Sequence, residues 1–166
     1  TNNGGATGTY TLTDTPGFDD DVTINSGSYS GEAAGTLNTT GSTTLTTNNA
    51  IAAGTTETFT LTFNVTLDLS ANSSGNNVYT SCGTGGTNGN GTPGQGLYNR
   101  AQIDTNNDGT PDRTDDVCGN LPNIILDKTF VSATVQPNGS YNVVYTIAVT
   151  NNGGATGTYT LTDTPG

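Results

Sequence analysis

The chain has 166 residues, with 14 acidic side chains against 3 basic ones, a net charge of −11, and no His, Trp or Met. Without a basic run there is no electrostatic footprint for nucleic acid or for an anionic membrane surface, and no apolar run is long enough to span a bilayer. The lack of His removes the usual general base, the Ser–His pair and the commonest zinc ligand, so the chain is not expected to be an enzyme.

Apolar residues make up 30% of the chain and charged residues only 10%, while Gly alone contributes 24 positions. That is enough for a thin core. A polar bulk of Thr, Asn and Ser suits strands and turns better than helices. In chain order, TGTYTLTD (7–14) reads as a first strand, followed by DVTINS (21–26) and STTLTT (42–47). Phe59, Leu61, Phe63, Val65, Leu67 and Leu69 then alternate with Thr and Asn, the longest period-two run in the chain. LYNRAQI (97–103) is a further apolar strand, and IILDKTFVSATV (124–135) is a long β-branched one. Gln136-Pro137-Asn138-Gly139 is a turn, with Asn-Gly a hairpin signal, and leads into the alternation of Tyr141, Val143, Tyr145, Ile147 and Val149. No segment has a helical period. Seven or eight short strands of this kind predict an all-β protein, an Ig-like antiparallel β-sandwich. A β-solenoid, suggested by the spacing in TGTYTLT and TETFTLT, needs short coils of constant length, which the uneven strands do not supply.

Residues 1–17, TNNGGATGTYTLTDTPG, recur unchanged as residues 150–166, an offset of 149 positions. An identity of this length, which includes surface Asn and Gly, points to a tandem repeat with a 149-residue period, read through a window cut in mid-repeat from a longer chain. The division expected is then 1–120, the later strands of one repeat with a Cys-bracketed calcium loop, and 121–166, the opening strands of the next.

The sharpest motif is DTNNDGTPDRTD (104–115), which fits the calcium-loop spacing D-x-[DN]-x-D-G. Asp104, Asn106 and Asp108 sit at alternate positions, Gly109 permits a tight bend, and the Thr110 carbonyl, Asp112 and Asp115 follow at later ligand positions. Hard oxygen donors in this number suit Ca2+ better than Mg2+. The other acidic run, Asp19-Asp20-Asp21, lacks both the alternate spacing and the Gly, and reads as a solvated turn, with a contribution to an inter-domain ion as the alternative. Cys82 and Cys118 are the only sulfurs; with no CxxC and no His they predict a disulfide. Sequons occur, those beginning at Asn38, Asn64, Asn72 and Asn138 among them.

Lys128, the only lysine, interrupts an apolar strand, where a solvated lysine gains little. Asn99 lies in the last apolar strand of the repeat. If the two strands are neighbours, a lysine amine, an Asn amide and an adjacent acid are the parts of an intramolecular isopeptide crosslink. The candidate acids are Asp163, its equivalent Asp14, and Glu57. The plainer alternative is an exposed lysine paired with Asp127 or Asp163.

Asp127-Lys128-Thr129 on the first strand, YTIAVTNNGG (145–154), TLTDTP (160–165) and YNRA (98–101) together resemble the Ig-like tandem repeats of very large bacterial surface proteins. Those repeats carry a V-T-N stretch, here Val149-Thr150-Asn151, a D-x-x-P stretch, to which Asp163 to Pro165 or Gly166 corresponds with the spacing shifted by one, and a late N-x-A, here Asn99 to Ala101. The resemblance covers most of the 149-residue unit. It implies a secreted, surface-anchored stalk or filament on the cell surface, its repeats contacting neighbouring repeats head to tail, with a glycan or surface ligand at the fibre ends. Two assemblies are open: one continuous chain, or separate subunits joined by β-strand addition. The alternative function is an ice- or carbohydrate-binding module that uses the Thr-rich strand faces.

Overall fold

A computed structural model describes residues 1–68, 79–86 and 90–165. Leu69 of the long alternation, Asn72 of the sequons and Gly166 lie outside the described residues. The chain divides into two compact units, Thr1–Asn120 and Leu121–Gly166.

The described residues are all-β, and every strand pair is antiparallel. The first unit holds β1 (Gly8–Pro16), β2 (Val22–Gly31), β3 (Gly35–Thr36), β4 (Thr43–Ile51), β5 (Phe59–Leu67), β6 (Asn99–Asp104) and β7 (Arg113–Val117). They form a four-stranded sheet, β4-β1-β6-β7, and a three-stranded sheet, β3-β2-β5. The Tyr29 hydroxyl of β2 donates to the Leu45 carbonyl of β4 at 3.2 Å, tying one sheet to the other. The arrangement is consistent with an antiparallel β-sandwich.

Period-two patterning explains which faces turn inward. On β1, Tyr10 and Asp14 are buried and Leu12 is half-buried, because alternate side chains share a face. The core is thin: among the described residues, Tyr10, Val22, Leu37, Leu45 and Tyr98 are its buried apolar side chains. On β5 the alternation takes the expected form, with Thr60, Thr62, Asn64 and Thr66 exposed. Yet Phe59, Leu61, Phe63, Val65 and Leu67 are only half-buried. A sheet face without full cover leaves its apolar residues partly in water.

The second unit is one long hairpin, β8 (Ile124–Val135) and β9 (Tyr141–Asn151). Its turn is where Asn138-Gly139 placed it: the Gly139 N–H donates to the Gln136 carbonyl at 2.9 Å, and Gly139 takes φ of +82°. Lys128 stands opposite Ile147, Leu126 opposite Val149, and Phe130 opposite Tyr145. A bulge between Phe130 and Ser132 shifts the register by one residue. Ala133 and Val135 therefore join the same face as Leu126 and Phe130, against Val143 and Tyr141.

The alternating residues Tyr141, Val143, Tyr145 and Ile147 of β9 are exposed, as are Leu126, Phe130 and Val135 of β8. A two-stranded sheet has no second layer to bury them. TGTYTLTD (7–14) supplies most of β1, whereas the identical residues 156–163 form no strand.

Candidate functional site

β1 lies between β4 and β6, and Asp14 faces Ala101 across the β1–β6 pair while Pro16 faces Asn99. Asp14 and Asn99 thus occupy neighbouring rungs on one face of the sheet. Asp14 is only 3% exposed. Burial pushes its carboxyl up to about 6, and the hydrogen bond from the Asn99 side chain offsets part of that rise. A carboxylate only accepts, so the Asn99 donor is its Nδ2. The other end of the Asn99 amide is also held: the Arg100 N–H donates to Oδ1 at 2.7 Å. The second carboxylate oxygen of Asp14 is buried with no hydrogen-bond partner.

Lys128 sits in the middle of the apolar face of the hairpin, between Leu126 and Phe130 on its own strand and opposite Ile147. Its ammonium pairs with the Asp163 carboxylate and lies 5.3 Å from the Tyr145 ring centroid. Tyr145 in turn packs edge-to-face on Phe130, with ring centroids 5.7 Å apart. In one unit the acid of TLTDTPG holds Asn99; in the other, the same acid of the repeated segment holds Lys128. Glu57, the third candidate acid, is elsewhere: it accepts from the Tyr10 hydroxyl and, at 2.9 Å, from Asn49 Nδ2. Burial and the bond to Glu57 push the Tyr10 phenol up to about 12. Asn99 stands at the start of β6, and the strand that follows it, β7, is charged rather than apolar.

The Asp19-Asp20-Asp21 run is not a solvated turn. Asp19 is 1% exposed and Asp21 3%, and only Asp20 faces water. The turn between β1 and β2 is pinned by Asp19 N–H to the Gly96 carbonyl and Val22 N–H to the Asp19 carbonyl, both 2.9 Å, which draws the flanking carboxylates inward. Among the described residues this is the acidic trio whose carboxylate oxygens all lie within 4.8 Å of one another. Asp21 Oδ2 is buried with no hydrogen-bond partner, the condition that a divalent cation with hard oxygen ligands relieves. The sequence reading missed this because consecutive acids alternate sides, and nothing in their spacing says which side is buried.

The loop after β6 is closed by its own side chains. Asp104 is buried, and its Oδ1 accepts the Asn106 and Asn107 N–H groups at 3.1 and 2.7 Å while Oδ2 accepts Gly109 N–H at 2.9 Å. Asn106 Oδ1 accepts from Asp108 N–H, and Asp108 Oδ1 from Thr110 N–H. The Thr105 hydroxyl and N–H donate to Asp112 Oδ2 at 2.6 and 2.7 Å and hold that carboxyl below its usual range. Asp115 lies on β7, exposed, with its Oδ1 accepting the Asp116 N–H. Gly109 takes φ of +84°, the bend the motif requires. Asp104, Asn106, Asp108 and Thr110 therefore share one tight turn, whereas Asp115 belongs to a strand.

Cys82 and Cys118 form a disulfide, with Cα atoms 5.7 Å apart. The chain matches no protein-family model, no curated protein and no solved structure.

Proposed function

We propose that the chain is an Ig-like structural repeat of an extracellular surface fibre or stalk, assembled head to tail with identical neighbours and stiffened by Ca2+ and the disulfide. The observation that supports this is one sequence in two states. Residues 8–16 form the strand between β4 and β6, while the identical residues 157–165 form no strand and follow a hairpin whose apolar face is exposed. The first unit in turn carries a half-covered β5 at a sheet edge and a cleft of about 540 Å³ lined by Tyr10, Leu12, Phe59 and Ile103 among others. Each unit lacks what the other kind supplies: a second layer for β8–β9, and a cover for β5. Exposed apolar area of this extent on strands is a docking surface or an aggregation hazard, and an exact repeat names the neighbour that fits.

Within this reading, Ca2+ is held first by Asp19, Asp20 and Asp21 and second by the Asp104 loop, where it rigidifies connections between strands. The chain's role is mechanical, with no catalytic step on a foreign substrate. Electron microscopy of the purified chain, paired with sedimentation velocity, tests the assembly. Regular filaments with one bead per repeat support it, and dispersed single particles at all concentrations overturn it.

A second reading, a lattice- or glycan-binding face, draws on the outer surface of β2 and β5. There Thr23 faces Thr66, Ser28 faces Thr62 and Ser30 faces Thr60, all exposed. A bulge after Ile24 breaks these rows, and Asn25 Nδ2 bonds Asn64 and Thr66 at 2.9 and 2.8 Å, closing them on themselves. Ice-shaping or glycan-array signal that is lost in Thr62→Val supports this face.

A further inference from the structure

We infer that Lys128 of one copy and Asn99 of a second copy form an isopeptide bond, with the acid of the shared TLTDTPG segment acting between them. This rests on the head-to-tail reading, because the two side chains belong to different units. The geometry comes from a superposition that the sequence itself defines. The acid at position 14 is in contact with Asn99, and the acid at position 163, inside the identical segment, is in contact with Lys128. A unit that held both sets of strands around one copy of that segment would gather Lys128, Asn99 and the acid at one place.

The faces agree with this. Lys128 projects from the apolar face of the hairpin, the face that a second layer would cover. Asp14 and Asn99 are on one face of the four-stranded sheet, the face that buries Tyr10 and Asp14. Covering the hairpin with that sheet removes Lys128 from water. Desolvation disfavours the ammonium and frees the amine.

The chemistry balances without an oxidant or cofactor. The Nζ lone pair attacks Asn99 Cγ, and the Arg100 N–H, 2.7 Å from Oδ1, stabilises the charge that builds on that oxygen. The carboxyl takes a proton from Nζ and passes it to Nδ2, which it already contacts. The Cγ–Nδ2 bond breaks, a Cγ–Nζ bond replaces it, and one ammonia leaves. Burial holds the acid near 6, where it exchanges protons readily at neutral pH.

The test uses the 166-residue chain itself, concentrated and then resolved by reducing, denaturing electrophoresis, intact mass and tryptic mapping, alongside sedimentation velocity of the same samples. The expected result is a covalent ladder in which each link has lost the mass of one ammonia, fragments join at Lys128 and Asn99, and trypsin no longer cuts after Lys128. Lys128→Arg, on the exposed hairpin, removes the ladder and leaves sedimenting assemblies. Asn99→Ala and the double variant Asp14→Asn/Asp163→Asn do the same. Assemblies that dissolve wholly into monomers in denaturant overturn the bond and leave the head-to-tail reading standing. A chain that stays monomeric before denaturation overturns both.

Discussion

Asn99 donates its side-chain amide to the buried carboxylate of Asp14 on the adjacent strand, two residues from its own backbone partner Pro16 and on the same face. The contact holds an acid in a place that disfavours its charge. Asp14 has its pKa raised in the fold, to about 6 from 3.8. The folded state therefore binds more protons than the unfolded state between those two values. Its contribution to stability is fully present below about 4 and is lost as pH rises through about 6. Asp14→Asn should remove this slope and raise stability at pH 7, by on the order of 1 kcal/mol. Thermal melts of both proteins from pH 4 to 7 measure it, and parallel curves would refute the assignment.

Asp21 offers a test of the ion. If Ca2+ sits against Asp19 and Asp21, a chelator lowers the melting temperature, and Asp21→Asn abolishes the difference between calcium and chelator. If no ion sits there, the same substitution relieves a buried carboxylate and stabilises the protein, and the chelator does nothing. Asp108→Ala, in the separate turn after β6, reports that loop independently: a calcium increment lost in Asp108→Ala and kept in Asp21→Asn moves the site there.

Reduction of the Cys82–Cys118 bridge releases a segment in which the two cysteines are 36 positions apart. The loop-closure model places the loss at about 3–4 kcal/mol. Urea unfolding of the first unit with and without reductant should show a lower midpoint in the reduced form. An unchanged midpoint would mean that the segment is already held by its other bonds, such as Leu97 N–H to the Gly119 carbonyl at 2.8 Å.

Ile147→Asp places a charge on the apolar face of the hairpin, opposite Lys128. Because Ile147 is exposed within its own unit, the substitution should leave the fold of the first unit intact and abolish assembly. Circular dichroism and sedimentation of the variant separate the two effects. Assembly that survives the charge would show that this face is not the one covered.

Some of this was legible in the residues. Alternation marked β5 and β9, Asn138-Gly139 marked the turn between β8 and β9, and two lone cysteines marked their own pairing. β7 was not legible, because Arg113-Thr-Asp-Asp-Val117 is charged and gains its strand character from β6, its ladder partner. The inward turn of Asp19 and Asp21 was hidden for a similar reason: a hydrogen bond to Gly96, far along the chain, decides it.

The repeated segment divides the two kinds of information. The sequence by itself determined that the protein is built of strands, where most of them lie, and that it repeats, because these depend on local pattern and identity. Which copy of TLTDTPG becomes a strand, and which side chain its acid holds, was decided by tertiary structure alone. Residues 8–16 have β4 and β6 to satisfy their backbone groups, and residues 157–165 have no ladder partner among the described residues. Strand formation needs hydrogen-bonding partners that no stretch of chain carries within itself.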